Sequence, residues 1–221
     1  MNYDIKHLEE YGEKVIGPVQ SDEALLLFSL IRVLRPKTIV EFGYAKGHSS
    51  ANFLKAASED AIIYSYDILD ESKEIAEKVN DERLKYIHKS QTDFTHADID
   101  NKEIDFVFFD ASHNDELNIE TFNLIVDHLT EEAVVAVHDT GAWDNSCNEH
   151  PGATDGYYVN GWAFPKGYFL NDQKYIHQAG ERKFVNHLRE HEVGIEQIHL
   201  HSSNTFRHGL TLLQKRKVLE V

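Results

Sequence analysis

Cysteine and methionine are almost missing from this 221-residue chain, which has one of each, Cys147 and Met1. A single thiol excludes an intrachain disulfide, and the expected setting is a reducing cytoplasm. Long apolar runs are absent too: none approaches the roughly 18 residues needed to span a bilayer. The opening segment, "MNYDIKHLEEYGEKV", is acidic and lacks the apolar centre of a secretory leader. Positive charge is scarce, with 22 Lys and Arg against 38 Asp and Glu, a net charge of −16. Such a surface repels phosphate backbones, so neither nucleic acid nor a membrane is expected as a partner. Fourteen histidines would reduce that charge below about pH 6.5. Internal repeats, low-complexity tracts and Gly/Ser linkers are lacking as well. One domain over 1–221 is the simplest organisation, and 41% hydrophobic residues give it material for a core.

What is present alternates. Residues 1–35 read as N-terminal helices. In "SDEALLLFSLIRVL", Ser21 is placed to cap, acids occupy the first turn, and Pro36 ends the run. Then come a strand in "KTIVEFG", a helix in "HSSANFLKAASED", a strand in "AIIYSYDI", a polar helix in "DESKEIAEKVNDE" and a strand in "RLKYIHKS". "IDFVFFD" and "AVVAVHD" are apolar nearly throughout, as strands buried on both faces are, and "NDELNIETFNLIVDHL" between them is helical. Strict alternation implies right-handed βαβ units, hence an α/β fold with a doubly wound, mostly parallel sheet. "GERKFVNHLREHE" then reads as a helix, and "IEQIHLHS" and "RHGLTLLQK" as a closing pair of strands. Residues 141–180 break the rhythm. They are rich in Gly, Asn and aromatics, show no periodic segment, and are expected to form a lid over a binding site.

In open parallel sheets, ligands bind beyond the carboxyl ends of the strands, near the switch in strand order. Three apolar strands here end in carboxylates, Asp67, Asp110 and Asp139, and the first carries Glu41 near its end. That first strand runs into "VEFGYAKGHSS", an E-x-G-x-x-x-G-x-S turn with Gly43 and Gly47. A glycine turn from strand to helix exposes backbone amides to a ligand. The spacing is neither G-x-G-x-x-G nor a phosphate loop, so the ligand is not a dinucleotide held in the usual way. Asp67 closes the next strand 24 residues after Gly43, where an acid can accept both hydroxyls of a ribose.

With "VEFGYAKGHSS", "YSYDI", "IDFVFFDASH" and "AVVAVHDT" in this order, the chain resembles the class I S-adenosylmethionine (SAM)-dependent methyltransferases. It is most similar to the branch holding catechol-type and small sugar or antibiotic O-methyltransferases. The resemblance spans about residues 20–140, with a terminal strand pair at 193–215. It implies a Rossmann-like seven-stranded sheet whose last strand is antiparallel, with SAM across the first strand ends. It further implies that Glu41 lies beneath the glycine loop, satisfied by loop amides. Gly43 and Gly47 would admit the methionine moiety, Ser49 would face its carboxylate, and Asp67 would take the ribose. Ser90 or Gln91 would meet the adenine, and Asp110 would border the cofactor. One departure is "TEEA" before the fifth strand, where relatives have Pro-Gly-Gly.

The catalytic end follows from the same resemblance. Asp110 and His138 close adjacent strands 28 residues apart, and Asp139 follows at once. Catechol-type relatives place three oxygen ligands for Mg²⁺ at such positions. Here the middle one, His138, is an imidazole, which suits a softer transition metal better, so a divalent metal and no metal both stay open. His113 stands where those relatives have a lysine, and a histidine is suited to take a proton from an acceptor hydroxyl. With Asp110 it forms the candidate catalytic pair. Of the other histidines, His48, His150, His177 and His208 are candidates to line the pocket. The expected activity is O-methylation of a small hydroxylated metabolite, a sugar or phenol, by a chain whose first helices could pair with a second copy. Two alternatives stand beside it: a metal-dependent hydrolase or oxygenase using Asp110, His113 and His138, and a non-catalytic SAM-binding module.

Overall fold

The computed structural model describes residues 19, 21–140, 180–192, 194–200 and 209–215, and the backbone of short strands between 147 and 178. Helix α1 (Ser21–Leu34) buries Ala24, Leu27, Phe28 and Ile31 along one stripe. Ser21 is its first helical residue rather than its cap. The expected helices before it fall outside the described residues. Strand β1 (Thr38–Phe42) is buried at every position. Helix α2 (His48–Ala56), β2 (Ile62–Asp67), α3 (Asp70–Ala76) and β3 (Leu84–His88) follow. Two single 3₁₀ turns, Gln91–Asp93 and His96–Ile99, lead to β4 (Ile104–Phe109), α4 (Asp115–Ile125) and β5 (Leu129–Val137).

In 141–179 the backbone holds β6 (Cys147–Asn148), β7 (Tyr157–Val159), β8 (Trp162–Phe164), β9 (Tyr168–Asn171) and β10 (Ile176–Gln178). They pair antiparallel, β10-β9-β6 and β7-β8, so a stretch expected to be irregular contains strands. Their two- to four-residue length hid them from a periodicity reading, which needs longer runs. Helix α5 (Gly180–His191) and strands β11 (Ile195–Leu200) and β12 (Leu210–Lys215) complete the chain.

The main sheet has seven strands in the order β11-β12-β5-β4-β1-β2-β3. β1 through β5 pair in parallel, and β12 runs antiparallel to both β5 and β11. Side chains alternate across a strand, and the core divides accordingly. Ile39, Ile63, Phe106, Phe108 and Ala136 face Leu27 and Ile31 of α1 and Phe53 of α2. Val40, Phe42, Val107, Phe109, Val135 and Val137 face Phe122 of α4 and Phe184 of α5. β1 is the switch point. The chain builds β2 and β3 on one side of it and returns to build β4 and β5 on the other, so the ends of β1 and β4 open a crevice between the two halves.

Candidate active site

Glu41 lies on the α2 side of β1, in register with Ser65 of β2. Hydroxyls of Ser65 and of Ser50, on α2, donate to its carboxylate. The sequence reading had assigned loop amides to this role; the side chain instead points down into the sheet–helix interface, where hydroxyls reach it. Burial pushes its pKa up to about 7 against the opposing Ser49, Ser50 and Ser65 hydroxyls, with Asp110 adding repulsion.

The loop above bends for steric reasons. Gly43 has φ 104°, and a Cβ there would come 2.2 Å from the Asp110 carbonyl oxygen. The first glycine therefore lets β1 end flush against the end of β4. Gly47, at φ 78°, precedes α2 and leaves space for the Tyr44 ring, which a Cβ would meet at 2.6 Å. Between them Ala45 also has positive φ, at 46°, and its N–H donates to Asp67 Oδ2 at 2.7 Å. Asp67 thus holds the loop in shape as well as facing the crevice.

A cavity of about 500 Å³ occupies this crevice. Gly43, Ser49, Asp67 and Ser90 line it together with Asp110, His113 and Asp139. His48 lines it too, whereas the side chains of His150, His177 and His208 fall outside the described residues. The structure therefore brings together every predicted site residue except Glu41, Gly47 and His138, which support the wall from behind. Ser90 accepts the Thr92 N–H and caps the 3₁₀ turn. Gln91 is committed internally: its amide donates to Asn118 and Thr121 and accepts from the Ser112 N–H, tying the β3 end to α4.

Beyond the ends of β4 and β5 two imidazoles sit among four carboxylates. His138 is fully buried; Nδ1 lies 3.1 Å from Asp110 Oδ1 and 3.5 Å from Asp139 Oδ1, and Nε2 3.0 Å from Glu23 Oε2. Burial works to lower its pKa, but Asp139, Asp110 and Glu23 outweigh that and raise it well above the ordinary value. Asp139 adopts φ 56°, a left-handed conformation that Asp tolerates better than most residues and that swings its carboxylate beside the ring. His113 Nδ1 meets Glu181 Oε1 of α5 at 2.5 Å. Burial would lower the His113 pKa, yet Glu181, Asp139 and Asp110 together push it up to about 9.

Ligand atoms of Asp110, His138 and Asp139 all lie within 4.8 Å of one another. That donor set fits a divalent cation: one ring nitrogen faces two carboxylates while the other is held by a carboxylate behind it, the usual support of a metal-bound histidine. Asp139, not His113, is the third member of this group.

Comparison with known proteins agrees with this geometry. Residues 40–140 match the family profile described as a methyltransferase domain. Over this stretch the chain is similar to methyltransferase domains. The whole chain has the Rossmann-like fold of class I SAM-dependent methyltransferases. A Staphylococcus aureus protein provisionally assigned as a caffeoyl-CoA O-methyltransferase superposes with TM-score 0.68 at 19% identity, covering 97% of this chain and 93% of its own. A Bacillus cereus O-methyltransferase in complex with S-adenosylhomocysteine (SAH) gives 0.65 at 16% identity, covering 97% and 93%. TomG of Streptomyces achromogenes, an O-methyltransferase of tomaymycin synthesis in complex with SAM, gives 0.63 at 18%, covering 98% and 92%. No curated protein sequence matches.

Two residues of this site are not marked by the sequence motifs, Glu23 and Glu181. Both carried a signal. Glu23 shares the buried stripe of α1 with Leu27 and Ile31, and Glu181 that of α5 with Phe184, Val185 and Leu188. An acid at a core position of an amphipathic helix needs a buried partner.

Proposed function

We propose that the protein is a SAM-dependent O-methyltransferase acting on a hydroxyl of a small metabolite, a sugar or phenol. One observation carries the reading: the glycine loop and Asp67 share a single cavity with His113, Asp110 and Asp139. SAM, when bound, supplies a methyl group on a sulfonium, whose transfer to oxygen leaves a thioether. Asp67 is placed for the ribose hydroxyls and Ser49, in the first turn of α2, for the carboxylate of the methionine moiety. His113 accepts the acceptor's proton, a contribution on the order of 10²–10⁴-fold. Holding the oxygen in line contributes more, up to about 7–11 kcal/mol.

A divalent metal, where present, is held by Asp110, His138 and Asp139. It would polarise the acceptor hydroxyl and ease loss of its proton. The imidazole in the set favours a transition metal over Mg²⁺. The oxygenase alternative needs His113 beside that metal, whereas the group close enough to share an ion is Asp110, His138 and Asp139. The lid expected over 141–180 is kept here as a proposal from its aromatic composition, its side chains lying outside the described residues. No helix among the described residues is long and apolar enough to cross a membrane.

Calorimetry with SAM and SAH, with and without EDTA, tests the reading. Micromolar binding of both that survives the chelator is expected; no binding of either would overturn it.

A further inference from the structure

The first turn of α5 is fastened to the His113 loop by both packing and charge. Gly180 lies so close that a Cβ there would come 2.2 Å from the His113 carbonyl oxygen. Glu181, only 2% exposed, places Oε1 2.5 Å from His113 Nδ1. Arg182 donates its Nε–H to the Thr140 carbonyl at 2.7 Å. One helical turn thus ties together the loops that follow β4 and β5. A carboxylate this deep costs several kcal/mol unless a cation or donor meets it, and His113, which meets it here, also lines the cavity.

We propose that Glu181 is a positioning residue for His113: its carboxylate takes the Nδ1–H, fixes the rotation and tautomer of the ring, and directs Nε2 to the acceptor hydroxyl. The assignment of Nε2 to the acceptor rests on the methyl-transfer reading above; the Nδ1 contact does not. In the reaction the acceptor's O–H bond breaks and its proton goes to Nε2. Its oxygen forms the new bond to the methyl carbon, and the carbon–sulfur bond pair stays on sulfur. One positive charge leaves the sulfonium and one appears on the imidazole. Glu181 stands 2.5 Å from that new charge. The charges of Asp110 and Asp139 act on the same ring, so three carboxylates from three elements favour the cation after transfer. A lysine at this position would be a flexible point charge, whereas an imidazole needs its second nitrogen fixed before the first can be aimed.

Nitrogen-detected NMR of the histidine rings in the full chain tests this, with and without SAH. His113→Gln assigns the resonance, and Glu181→Gln keeps the shape while removing the charge. Above about pH 9, neutral His113 in the wild type is expected as the Nδ1–H tautomer; an Nε2–H tautomer would overturn the proposal, and this arm needs no variant at position 181. In Glu181→Gln the His113 titration is expected to fall by at least about one unit. A midpoint unchanged from the wild type would also overturn it. Failure of the wild type to bind SAH would sink the methyl-transfer reading instead, and the ligand-free spectra would still decide the role of Glu181.

Discussion

Glu41 and Ser65 stand side by side in β1 and β2, and the Ser65 hydroxyl donates to the Glu41 carboxylate beneath the glycine loop. A residue that looks like a ligand contact is thereby a foundation of the loop, shielded from water by α2. Its raised pKa fixes the sign of a stability effect. The folded state holds the proton up to about pH 7, whereas the unfolded chain releases it near 4.5. This contribution is therefore complete below 4.5 and lost progressively as pH rises to about 7, a span of about 3 kcal/mol. Glu41→Gln, which cannot ionise, should flatten that part of the pH–stability curve and unfold at a higher temperature than wild type at pH 8. Thermal melts at pH 4.5 and pH 8 measure it; parallel curves for the two proteins would refute it.

Asp67 serves the loop and the crevice at once, through the Ala45 and Leu69 amides. Asp67→Ala should weaken SAM about 10–100-fold, the worth of hydrogen bonds to a charged group. Calorimetry against wild type reads the change directly.

Gly43→Ala forces a side chain into the Asp110 backbone at a φ that disfavours one. A loss of about 3 kcal/mol or more in urea unfolding is expected. Gly194, also at positive φ but with nothing within 4 Å, provides the control, and Gly194→Ala should cost about 1–2 kcal/mol.

His113→Ala should lower methyl transfer about 10²-fold or more while leaving SAM affinity nearly intact. SAH release with catechol and hexose acceptors provides the assay. With the pKa raised to about 9, the neutral base becomes available as pH rises, so wild-type turnover should climb from pH 7 toward 9. Full activity in the variant would remove His113 from the mechanism.

Replacing His138 by Leu leaves Glu23, Asp110 and Asp139 facing one another without the cation between them. Stability should fall by about 3–5 kcal/mol at neutral pH, read by urea unfolding. The bound transition-metal content of the purified protein, measured by elemental analysis, should drop with it.

Much of this was readable in the chain because each strand of the parallel core is an unbroken apolar run ending in a charge. "IDFVFFD" could hardly be anything but a buried strand, and its last acid had to face a crevice. The fold, the loop and the three strand-end acids follow from that rule. Partners contributed from a distance were harder to see. Glu23 lies 115 residues from His138, and Glu181 lies 68 from His113; local periodicity marks such acids as buried without saying what they meet. The downward orientation of Glu41 depends on the register of β1 against β2, which spacing alone does not supply.

The change of direction at β1 has a further consequence. Residues 38–90 furnish the glycine loop, Asp67 and Ser90, and residues 104–140 furnish Asp110, His113, His138 and Asp139. Most residues proposed for cofactor recognition and most proposed for acceptor chemistry thus lie in two consecutive blocks of sequence, joined along the β1–β4 pairing and by Gln91 to α4. On the proposed function, substitutions in the second block are expected to change the acceptor while the first stays untouched, and an exchange of blocks between relatives has a natural junction just before β4.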